Sequence, residues 1–440
     1  MGIKCKYEPL SFEGGVRPLN GTDAGRGAQA YPAILPCYGW CSMHARPVVP
    51  GLPALVLAAL IGTMAMMSFV AVIGPVVRML GLSEWHAGLS VTAAGVLWML
   101  AARPWGQLSD RIGRKRVLML AMSAYTVVYI ALAVFIDVAL QAVPPVLVSV
   151  LVLVGARGLI GLFYAAVPPT AAALIADKAP AGQRASFLAR LGSANALGMV
   201  LGPAAAGWLA YTNLSLALYV AAVLPLLALA LLAWRLPATP PVAGGGAQRR
   251  APMRRLDPRL RLPQLAAFIA MVSVTIAQVT VGFFAIDRLG LDAAAGARMA
   301  GIALTAVGVG LILAQALVMK LDVHPRRWII LGALISGIGF ASVAGVQHAW
   351  QLPAAYALAA FGMGFVFPSF QALAADAVEA HEQGAAAGTV AAAQGLGMVA
   401  GPMLGTLLYR GGPSLPYLLV GALLLLLCAL AAAHRMKETP

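Results

Sequence analysis

The sequence carries, between two long apolar runs, the polar stretch Gly106-Gln-Leu-Ser-Asp110-Arg111-Ile-Gly113-Arg114-Lys115-Arg116. Four cations, one carboxylate and two glycines are crowded into this stretch. The runs on either side are long enough to cross a bilayer, for which a helix needs about 20 apolar residues. The stretch is therefore predicted to be a short polar loop at a membrane surface.

Apolar runs of this kind recur along the whole chain of 440 residues, which is 61% hydrophobic and only 10% charged. Soluble domains carry about 25% charged residues. The runs are too long for barrel strands and show no period-two alternation, so an all-α membrane protein is predicted. The candidate spans, about twelve in number, are residues 53–79, 87–108, 117–137, 146–174, 187–211, 216–234, 263–286, 298–319, 328–346, 352–375, 388–409 and 414–433.

The net charge of +15 does not indicate a nucleic-acid partner, because the cations follow the membrane topology. With a cytoplasmic N-terminus and alternating loops, only Arg78, Arg288, Arg298 and Arg410 of the loop cations fall outside. This is the positive-inside bias. We expect a multi-pass protein of a bacterial-type inner (plasma) membrane, with the lipid bilayer as partner and both termini in the cytoplasm.

Two segments differ from the rest in composition. Residues 1–50 are rich in Gly, Pro and polar residues, which predicts a disordered cytoplasmic extension. An upstream extension of a reading frame that begins at Met43 is the alternative. Residues 235–262 hold three consecutive glycines and seven arginines, typical of a flexible cytoplasmic linker. Six-helix bundles are predicted at 51–234 and 263–440.

The two bundles repeat each other in sequence. Asp177 and the pair Gly202-Pro203 reappear, at a constant separation, as Asp376 and the pair Gly401-Pro402. A constant register with two Gly-Pro pairs indicates duplication, and parallel repeats of this kind are typical of secondary transporters. Residues 320–327 form a second copy of the quoted stretch that has lost its glycines.

The pattern G-x-x-x-D-R-x-G-R-K-R resembles, at every defined position, the signature loop between the second and third helices of the major facilitator superfamily. The resemblance covers about residues 50–435 and implies two bundles that rock around a central cavity. It implies conformational switching for Gly106, Asp110, Arg111, Gly113, Arg114, Lys115 and Arg116. A cluster of positive charges that only sets topology is the alternative.

Arg157 is a charged residue well inside a predicted span, and such residues usually face a cavity. The segment from Arg157 through Gly161 to Ala165 resembles the fourth-helix motif R-x-x-x-G-x-x-x-A of the same superfamily. In proton-coupled members this arginine is linked to proton transfer. Binding of an anionic substrate, or a bridge between two helices, remains open.

The fifth predicted span resembles the motif typical of the superfamily's exporters. The motif spacing G-x-x-x-G-P-x-x-x-G is formed by Gly198, Gly202, Pro203 and Gly207, preceded by Gly192. Small residues four apart let helices approach closely, and proline kinks a helix. Ala206 stands where the family often has a second glycine. Generic close packing is the alternative to an exporter motif.

Polar side chains in other spans suit a cavity for amphipathic solutes, although each could instead bond a neighbouring helix. They are Asn195, Gln278, Gln371, Gln394, Tyr125, Tyr129 and Tyr164. The first span, residues 53–79, holds no Asp or Glu. Proton coupling is therefore implied by the resemblance alone, with Asp137 and Asp287 the nearest carboxylates that could replace one in the first span.

These features predict a secondary transporter that exports drug-like molecules or a metabolite such as a siderophore by proton antiport. An importer of an organic solute or anion is the alternative. A membrane-embedded enzyme using Asp376, Glu379, His381 and Glu382 is a remote one. Four scattered cysteines form no metal set, so no metal or cofactor is expected. The resemblance implies a monomer.

Overall fold

A computed structural model describes residues 51–179, 184–238, 257–318, 320–321, 323–379 and 382–433. Helices make up nearly all of these residues. The α-helices are α1 Leu52–Met79, α2 Glu84–Ile112, α3 Arg114–Gln141, α4 Val146–Tyr164, α5 Val167–Lys178, α6 Arg184–Thr212, α7 Leu214–Arg235, α8 Arg261–Leu289, α9 Ala293–Val318, α10 Pro325–Val343, α11 Gln351–Asp376, α12 Gln383–Tyr409 and α13 Leu415–Ala433. The predicted extension at 1–50 and most of the linker at 235–262 lie outside the described residues.

The predicted spans each match a helix, with α4 and α5 forming one span that is interrupted at Ala165 and Ala166. Within the described chain, 11 helices are long and apolar enough to cross a membrane. The long helix that is not among them is α6, whose 29 residues include Asn195 and the pair Gly202-Pro203 in its interior. Large apolar side chains such as Leu147 and Leu151 lie exposed on the outer surface, as lipid contact requires. The all-helical fold is therefore confirmed.

The quoted stretch proves to be helical, which corrects the prediction of a loop. Helix α2 continues to Ile112 and α3 begins at Arg114, so Gly106 and Asp110 lie within the last turns of α2. A helix of 29 residues is about 44 Å long, longer than a hydrocarbon core of about 30 Å, so its polar end extends into water. Gly113 alone makes the turn, with a φ of 97° that favours glycine.

Consecutive spans run in opposite directions, so the molecule has two faces. We call the face with the α2–α3 junction the basic face, since it carries Arg111, Lys115, Lys178, Arg259 and Arg326. The face with the α1–α2 connection, called the opposite face, carries four carboxylates, those of Glu84, Asp137, Asp287 and Asp292.

The two bundles meet through the pairs α1–α8, α2–α12 and α6–α9. Close approaches occur near the opposite face. A Cβ on Gly207 would lie 2.6 Å from the Cα of Gly301, and a Cβ on Gly88 would lie 2.0 Å from the Oγ1 of Thr406. Nearer the basic face, a Cβ on Gly106, Gly192 or Gly388 would meet no described atom within 4 Å. The bundles are packed together at the opposite face.

Candidate functional site

The centre of the signature stretch is Arg114, the first residue of α3, whose side chain is buried. Its guanidinium lies 2.5 Å from a carboxylate oxygen of Asp110, four residues earlier at the end of α2, and 3.1 Å from a carboxylate oxygen of Asp177 on α5. It also donates a 2.6 Å hydrogen bond to the Ser109 hydroxyl. One arginine therefore ties α2, α3 and α5 together at the basic face. Sequence analysis missed Asp177 as a partner, although its repetition as Asp376 was a usable signal.

The other three cations of the signature stretch, Lys115, Arg111 and Arg116, differ from Arg114 in their surroundings. Lys115 donates to the carbonyls of Ala233 and Leu236 at the end of α7, where backbone carbonyls lack helical partners. Arg111 and Arg116 are exposed. In the second bundle, Arg326 makes the same kind of contact as Lys115, with backbone carbonyls at the end of a helix.

Arg326 donates to the carbonyls of Ala431 and Ala432, at 2.7 Å and 2.8 Å, at the end of α13. The second copy of the signature stretch thus retains a helix cap. Arg326 forms no ion pair with Asp376, although both line the same small pocket. The link between an arginine and the repeated aspartate is specific to the first bundle among the described residues.

Arg157 lies inside the first bundle with only 2% of its surface exposed. Its guanidinium carbon stands 4.7 Å from the centre of the Phe69 ring on α1. Among the described residues, its Nε and Nη1 are buried without a hydrogen-bond partner. A guanidinium stays protonated in proteins, and burying an unpaired charge costs several kcal/mol. The position is therefore energetically expensive.

Tyr356 on α11 follows Arg157 at the same separation along the chain that relates Asp376 to Asp177. Tyr356 is therefore the equivalent position in the second bundle. Its hydroxyl lies 2.8 Å from the carbonyl oxygen of Ala277 on α8, to which it donates, and 2.9 Å from the Tyr417 hydroxyl. A neutral tyrosine with two partners thus stands where the first bundle has a cation with unpaired nitrogens. The two copies of the repeat therefore differ at this position, which is charged in the first bundle and neutral in the second.

Three predicted cavity tyrosines are buried around α1. Tyr125 and Tyr129 of α3 donate to the carbonyls of Gly62 and Ala65 at 3.3 Å and 2.7 Å. The Tyr164 hydroxyl lies 2.8 Å from Thr63 Oγ1. The structure thus brings these three tyrosines together in one polar cluster.

The predicted amides divide between this cluster and the rest of the molecule. Thr63 donates a 2.9 Å hydrogen bond to the Asn195 side chain on α6, which is half-buried. The side chains of Gln278, Gln371 and Gln394 form no hydrogen bond with a described residue. Gln278 and Gln394 are half-buried, and Gln371 is exposed. Asn195 therefore joins the cluster, and the three glutamines remain separate from it.

The glycines of α6 pack in two directions. A Cβ on Gly198 would lie 2.7 Å from the carbonyl oxygen of Leu60, and one on Gly202 would lie 2.4 Å from that of Met64, both on α1. Gly207 faces Gly301 of α9 in the other bundle. Pro203 lies within the helix, between these contacts. Close packing is established for three of the four glycines, and Gly192 faces open space.

An ion cluster that sequence analysis did not assemble crosses the opposite face. Arg78, at the end of α1, lies 2.6 Å from Glu84 of α2 and 2.5 Å from Asp287 of α8. The Tyr409 hydroxyl of α12 donates to Asp287 at 3.0 Å. The available signal was a charge at the end of each of two apolar helices, Arg78 on α1 and Asp287 on α8.

The residues considered for an enzyme do not assemble into a catalytic group within the described chain. Glu382 accepts hydrogen bonds of 3.0 Å and 3.1 Å from Arg259, and Asp376 lies exposed. His381 lies outside the described residues. Among the residues described, no group of three His, Cys, Asp or Glu side chains could hold a metal ion.

Two helical bundles joined near one face, with a buried arginine in one of them, define a multi-pass membrane transporter. The sequence pattern of the Major Facilitator Superfamily matches residues 54–300 and 265–440. The chain belongs to this superfamily, a family of transporters, so the enzyme alternative is set aside.

Relatives and solved structures agree with this assignment. Tetracycline resistance protein, class G, of Vibrio anguillarum is 30% identical over 358 residues, 78% of this chain and 86% of the relative. The multi-drug resistance efflux pump PmrA homolog of Lactococcus lactis subsp. lactis (strain IL1403) is 26% identical over 333 residues, 73% of this chain and 78% of the relative. A crystal structure of a bacterial homolog of the human lysosomal transporter Spinster, inward-facing and occupied, matches with a TM-score of 0.68. That match has 16% identity and covers 88% of this chain and 97% of the other.

Proposed function

We propose that this chain is a proton-coupled exporter of drug-like small molecules or of a metabolite such as a siderophore. The observation that carries the proposal is the packing of α6. Gly198 and Gly202 bring its backbone against α1, and Gly207 brings it against α9 of the other bundle. The names of the two relatives, which describe drug resistance and efflux, support the same direction of transport.

The orientation follows from charge. The basic face is proposed to be cytoplasmic, because Lys and Arg accumulate on the cytoplasmic side of membrane proteins. The bundles are packed together at the opposite face, which favours a conformation that loads substrate from the cytoplasm. An exporter must load its substrate on that side. A monomer is sufficient for this cycle, because both bundles belong to one chain.

Proton coupling is supported by Arg157. Its buried and unpaired guanidinium has no carboxylate in the first span to balance it. A charge held at such a cost is expected to have a function. We propose that Arg157 influences proton binding, together with the polar cluster of Tyr125, Tyr129 and Tyr164.

The experiment is a proton-release assay in everted vesicles with an acid interior. Tetracycline, cationic dyes and siderophores are added in turn, and collapse of the gradient identifies a substrate. Wild type is compared with Arg157→Ala and with the matched control Arg103→Ala, which removes an exposed arginine of α2 outside the signature stretch. A compound that collapses the gradient in wild type and the control, but not with Arg157→Ala, supports proton-coupled export. Failure of all compounds with inserted wild-type protein contradicts it.

Import of an organic anion is the second candidate, favoured by the same unpaired guanidinium of Arg157. A carboxylate on the solute would supply the missing partner. Whole cells that accumulate an organic anion, and lose this uptake with Arg157→Ala at equal protein level, would favour import. Unchanged uptake in the variant would remove this candidate.

A further inference from the structure

We propose that the interruption at Ala165 and Ala166 is a hinge between α4 and α5, and that Trp105 of α2 is the positioning residue that holds its fixed side. The hinge lies between Tyr164, a member of the polar cluster, and Asp177, the partner of the signature stretch. It therefore joins these two sites within one span. The inference goes beyond the proposed export, because it concerns neither the substrate nor the coupling ion.

The interruption is explained by two consecutive prolines, Pro168 and Pro169. A proline has no amide hydrogen and its ring crowds the carbonyl four residues earlier, so it removes one hydrogen bond from a helix. The two carbonyls affected here belong to Tyr164 and Ala165. Two adjacent hydrogen bonds are therefore lost at one point of the span, which weakens the link between α4 and α5 more than a single proline does.

The second bundle has only one of these two prolines. Pro368 of α11 stands at the position that repeats Pro169. Phe367 stands at the position that repeats Pro168. Helix α11 nevertheless continues without interruption through Pro368. One proline is thus compatible with a continuous helix in this fold, and the second proline distinguishes the span that is broken.

Trp105 supplies a hydrogen bond at the end of α4, where the break removes one. The amide of Ala166 bonds the carbonyl of Phe163 at 3.2 Å, three residues back, whereas a continuous α-helix would use the carbonyl of Leu162. The carbonyl of Leu162 accepts a 2.8 Å hydrogen bond from the indole Nε1 of Trp105. The indole ring also lies 6.3 Å from the Phe163 ring, between ring centres. Trp105 therefore caps the last turn of α4.

Helix α4 is fixed to α2 immediately before the break. A Cβ on Gly161 would lie 2.2 Å from the carbonyl oxygen of Ala94, and one on Gly158 would lie 2.9 Å from the side chain of Leu97. Helices packed this closely through small residues cannot rotate or separate easily. With 19 residues, α4 is about 29 Å long, close to a hydrocarbon core of about 30 Å, so the break falls near the basic face. The embedded part of the span is the fixed side of the hinge.

Helix α5 is the movable side, and it is held near its end. Asp177 lies about 15 Å from the break and pairs with Arg114 at 3.1 Å. Because Arg114 also pairs with Asp110 of α2, that helix is attached to the span on both sides of the hinge. The attachment before the hinge is Trp105, and the attachment after it is the ion pair. When the ion pair is released, α5 can swing while Tyr164 keeps its place.

The hydrogen bond of Trp105 should matter only while the break exists. Pro168→Ala leaves one proline, as in α11, and restores an amide that can bond the carbonyl of Tyr164. In a continuous helix the amide of Ala166 bonds Leu162, and the indole becomes dispensable. The effects of Trp105→Phe and Pro168→Ala are therefore expected to be non-additive, as for residues that share a partner.

The experiment is hydrogen–deuterium exchange of the full chain in lipid nanodiscs, read by mass spectrometry over residues 162–174. The repeated segment 361–373 is the reference within the same molecule. Wild type, Trp105→Phe, Pro168→Ala and the double variant are compared. Trp208→Phe is the matched control, because it changes an exposed tryptophan elsewhere in the first bundle.

A second measurement follows the motion of α5 directly. Spin labels are placed at Lys178→Cys, at the end of α5, and at Trp234→Cys, near the end of α7, two exposed positions. The four native cysteines are replaced by alanine. Both labels belong to the first bundle, so rocking of the two bundles leaves their distance unchanged. Neither measurement uses a substrate or a gradient, so failure of the proposed export and failure of the hinge are distinguishable.

Trp105→Phe is expected to raise exchange over residues 162–174 about fivefold, the factor that corresponds to one hydrogen bond of ordinary strength. Pro168→Ala should lower it about tenfold, since local opening then breaks more backbone hydrogen bonds. The double variant should match Pro168→Ala, and the reference segment should not change. Pro168→Ala should also narrow the distribution of distances between the spin labels.

The hinge is refuted if Pro168→Ala leaves either the exchange rate or the width of the distance distribution at the wild-type level. The role of Trp105 is refuted if Trp105→Phe raises exchange by the same factor with and without Pro168→Ala, because loss of packing alone acts equally in both. A rise of the same size in Trp208→Phe would also contradict it.

Discussion

Arg114 and Asp177 are joined across α3 and α5, with 3.1 Å between the guanidinium Nε and a carboxylate oxygen. The same arginine holds Asp110 of α2. The signature stretch is therefore half of an ion-pair cluster whose other half comes from a distant part of the chain. Motion of α2 relative to α5 must disturb one of the two pairs.

Asp177→Asn is expected to lower the turnover of transport about fivefold with little change in apparent substrate affinity. The lost pair is partly exposed, so its contribution is about 1 kcal/mol, which corresponds to that factor in rate. Asp110→Asn is expected to act in the same direction. Initial rates measured over a range of substrate concentrations in everted vesicles separate the two parameters.

The control for these variants is Arg103→Gln, which removes an exposed positive charge of α2 outside the signature stretch. An equal loss of turnover in this control would mean that general positive charge, and not the pairing of Arg114, is responsible. A change in apparent affinity alone in Asp177→Asn would also contradict the prediction.

Gly207→Ala is expected to reduce transport more than tenfold by forcing α6 and α9 apart. The new Cβ would lie 2.6 Å from the Cα of Gly301 and 2.7 Å from the carbonyl oxygen of Ala297, and backbone atoms of a helix cannot yield easily. Close approach of helices in membranes depends on small residues at such points. Transport in vesicles and thermal unfolding in detergent are measured together.

Gly192→Ala provides the comparison on the same helix. A Cβ there meets no described atom within 4 Å, and alanine is favoured over glycine in a helix by about 1 kcal/mol. Its melting temperature should equal or exceed that of wild type, with transport retained. If Gly192→Ala and Gly207→Ala behave alike, packing against Gly301 is not the reason.

Arg157→Gln is expected to abolish proton-coupled transport while leaving thermal stability unchanged or raised. Removing a buried guanidinium whose Nε and Nη1 lack hydrogen-bond partners removes a desolvation cost. The folded protein should therefore become no less stable, although transport is lost. Thermal unfolding in detergent and gradient collapse in vesicles report the two properties. A large fall in melting temperature would indicate that Arg157 is a structural bridge between helices.

Lys115→Met is expected to lower stability by about 1 kcal/mol without a comparable loss of turnover per folded molecule. Its ammonium group caps the end of α7 through the carbonyls of Ala233 and Leu236. Arg326→Met should behave similarly at the end of α13, where the same kind of cap occurs. Arg116→Met, which removes an exposed side chain, should leave the unfolding temperature unchanged.

The spans were predictable from sequence because crossing a bilayer is a local requirement. Each helix must hide its own backbone polar groups in lipid, so its apolar length is visible in the chain itself. The same reasoning gave a wrong prediction for the stretch 106–116. Its polarity indicated a loop, but polar residues also continue a helix beyond the membrane, and only Gly113 interrupts it.

A site residue could be predicted from sequence when its type was unusual for its position. Which residues contact each other could not be predicted in this way. Arg157 stands out in sequence as a charge inside an apolar run, yet its lack of partners and its contact with Phe69 depend on how α1 and α4 pack. From sequence, Asp137 and Asp287 were named together as the nearest carboxylates that could replace one in the first span. The structure separates them, because Asp287 bonds across the bundles and Asp137 bonds within one.

By itself, the sequence determined the number of spans, their polarity and the duplication, because hydrophobic length, charge and repetition are properties of consecutive residues. The tertiary structure decided which glycines meet and which charges pair. Arg78 and Asp287, or Gly207 and Gly301, are far apart along the chain and come together only through the crossing of helices. Such contacts depend on helix direction and rotation, which hydropathy does not encode.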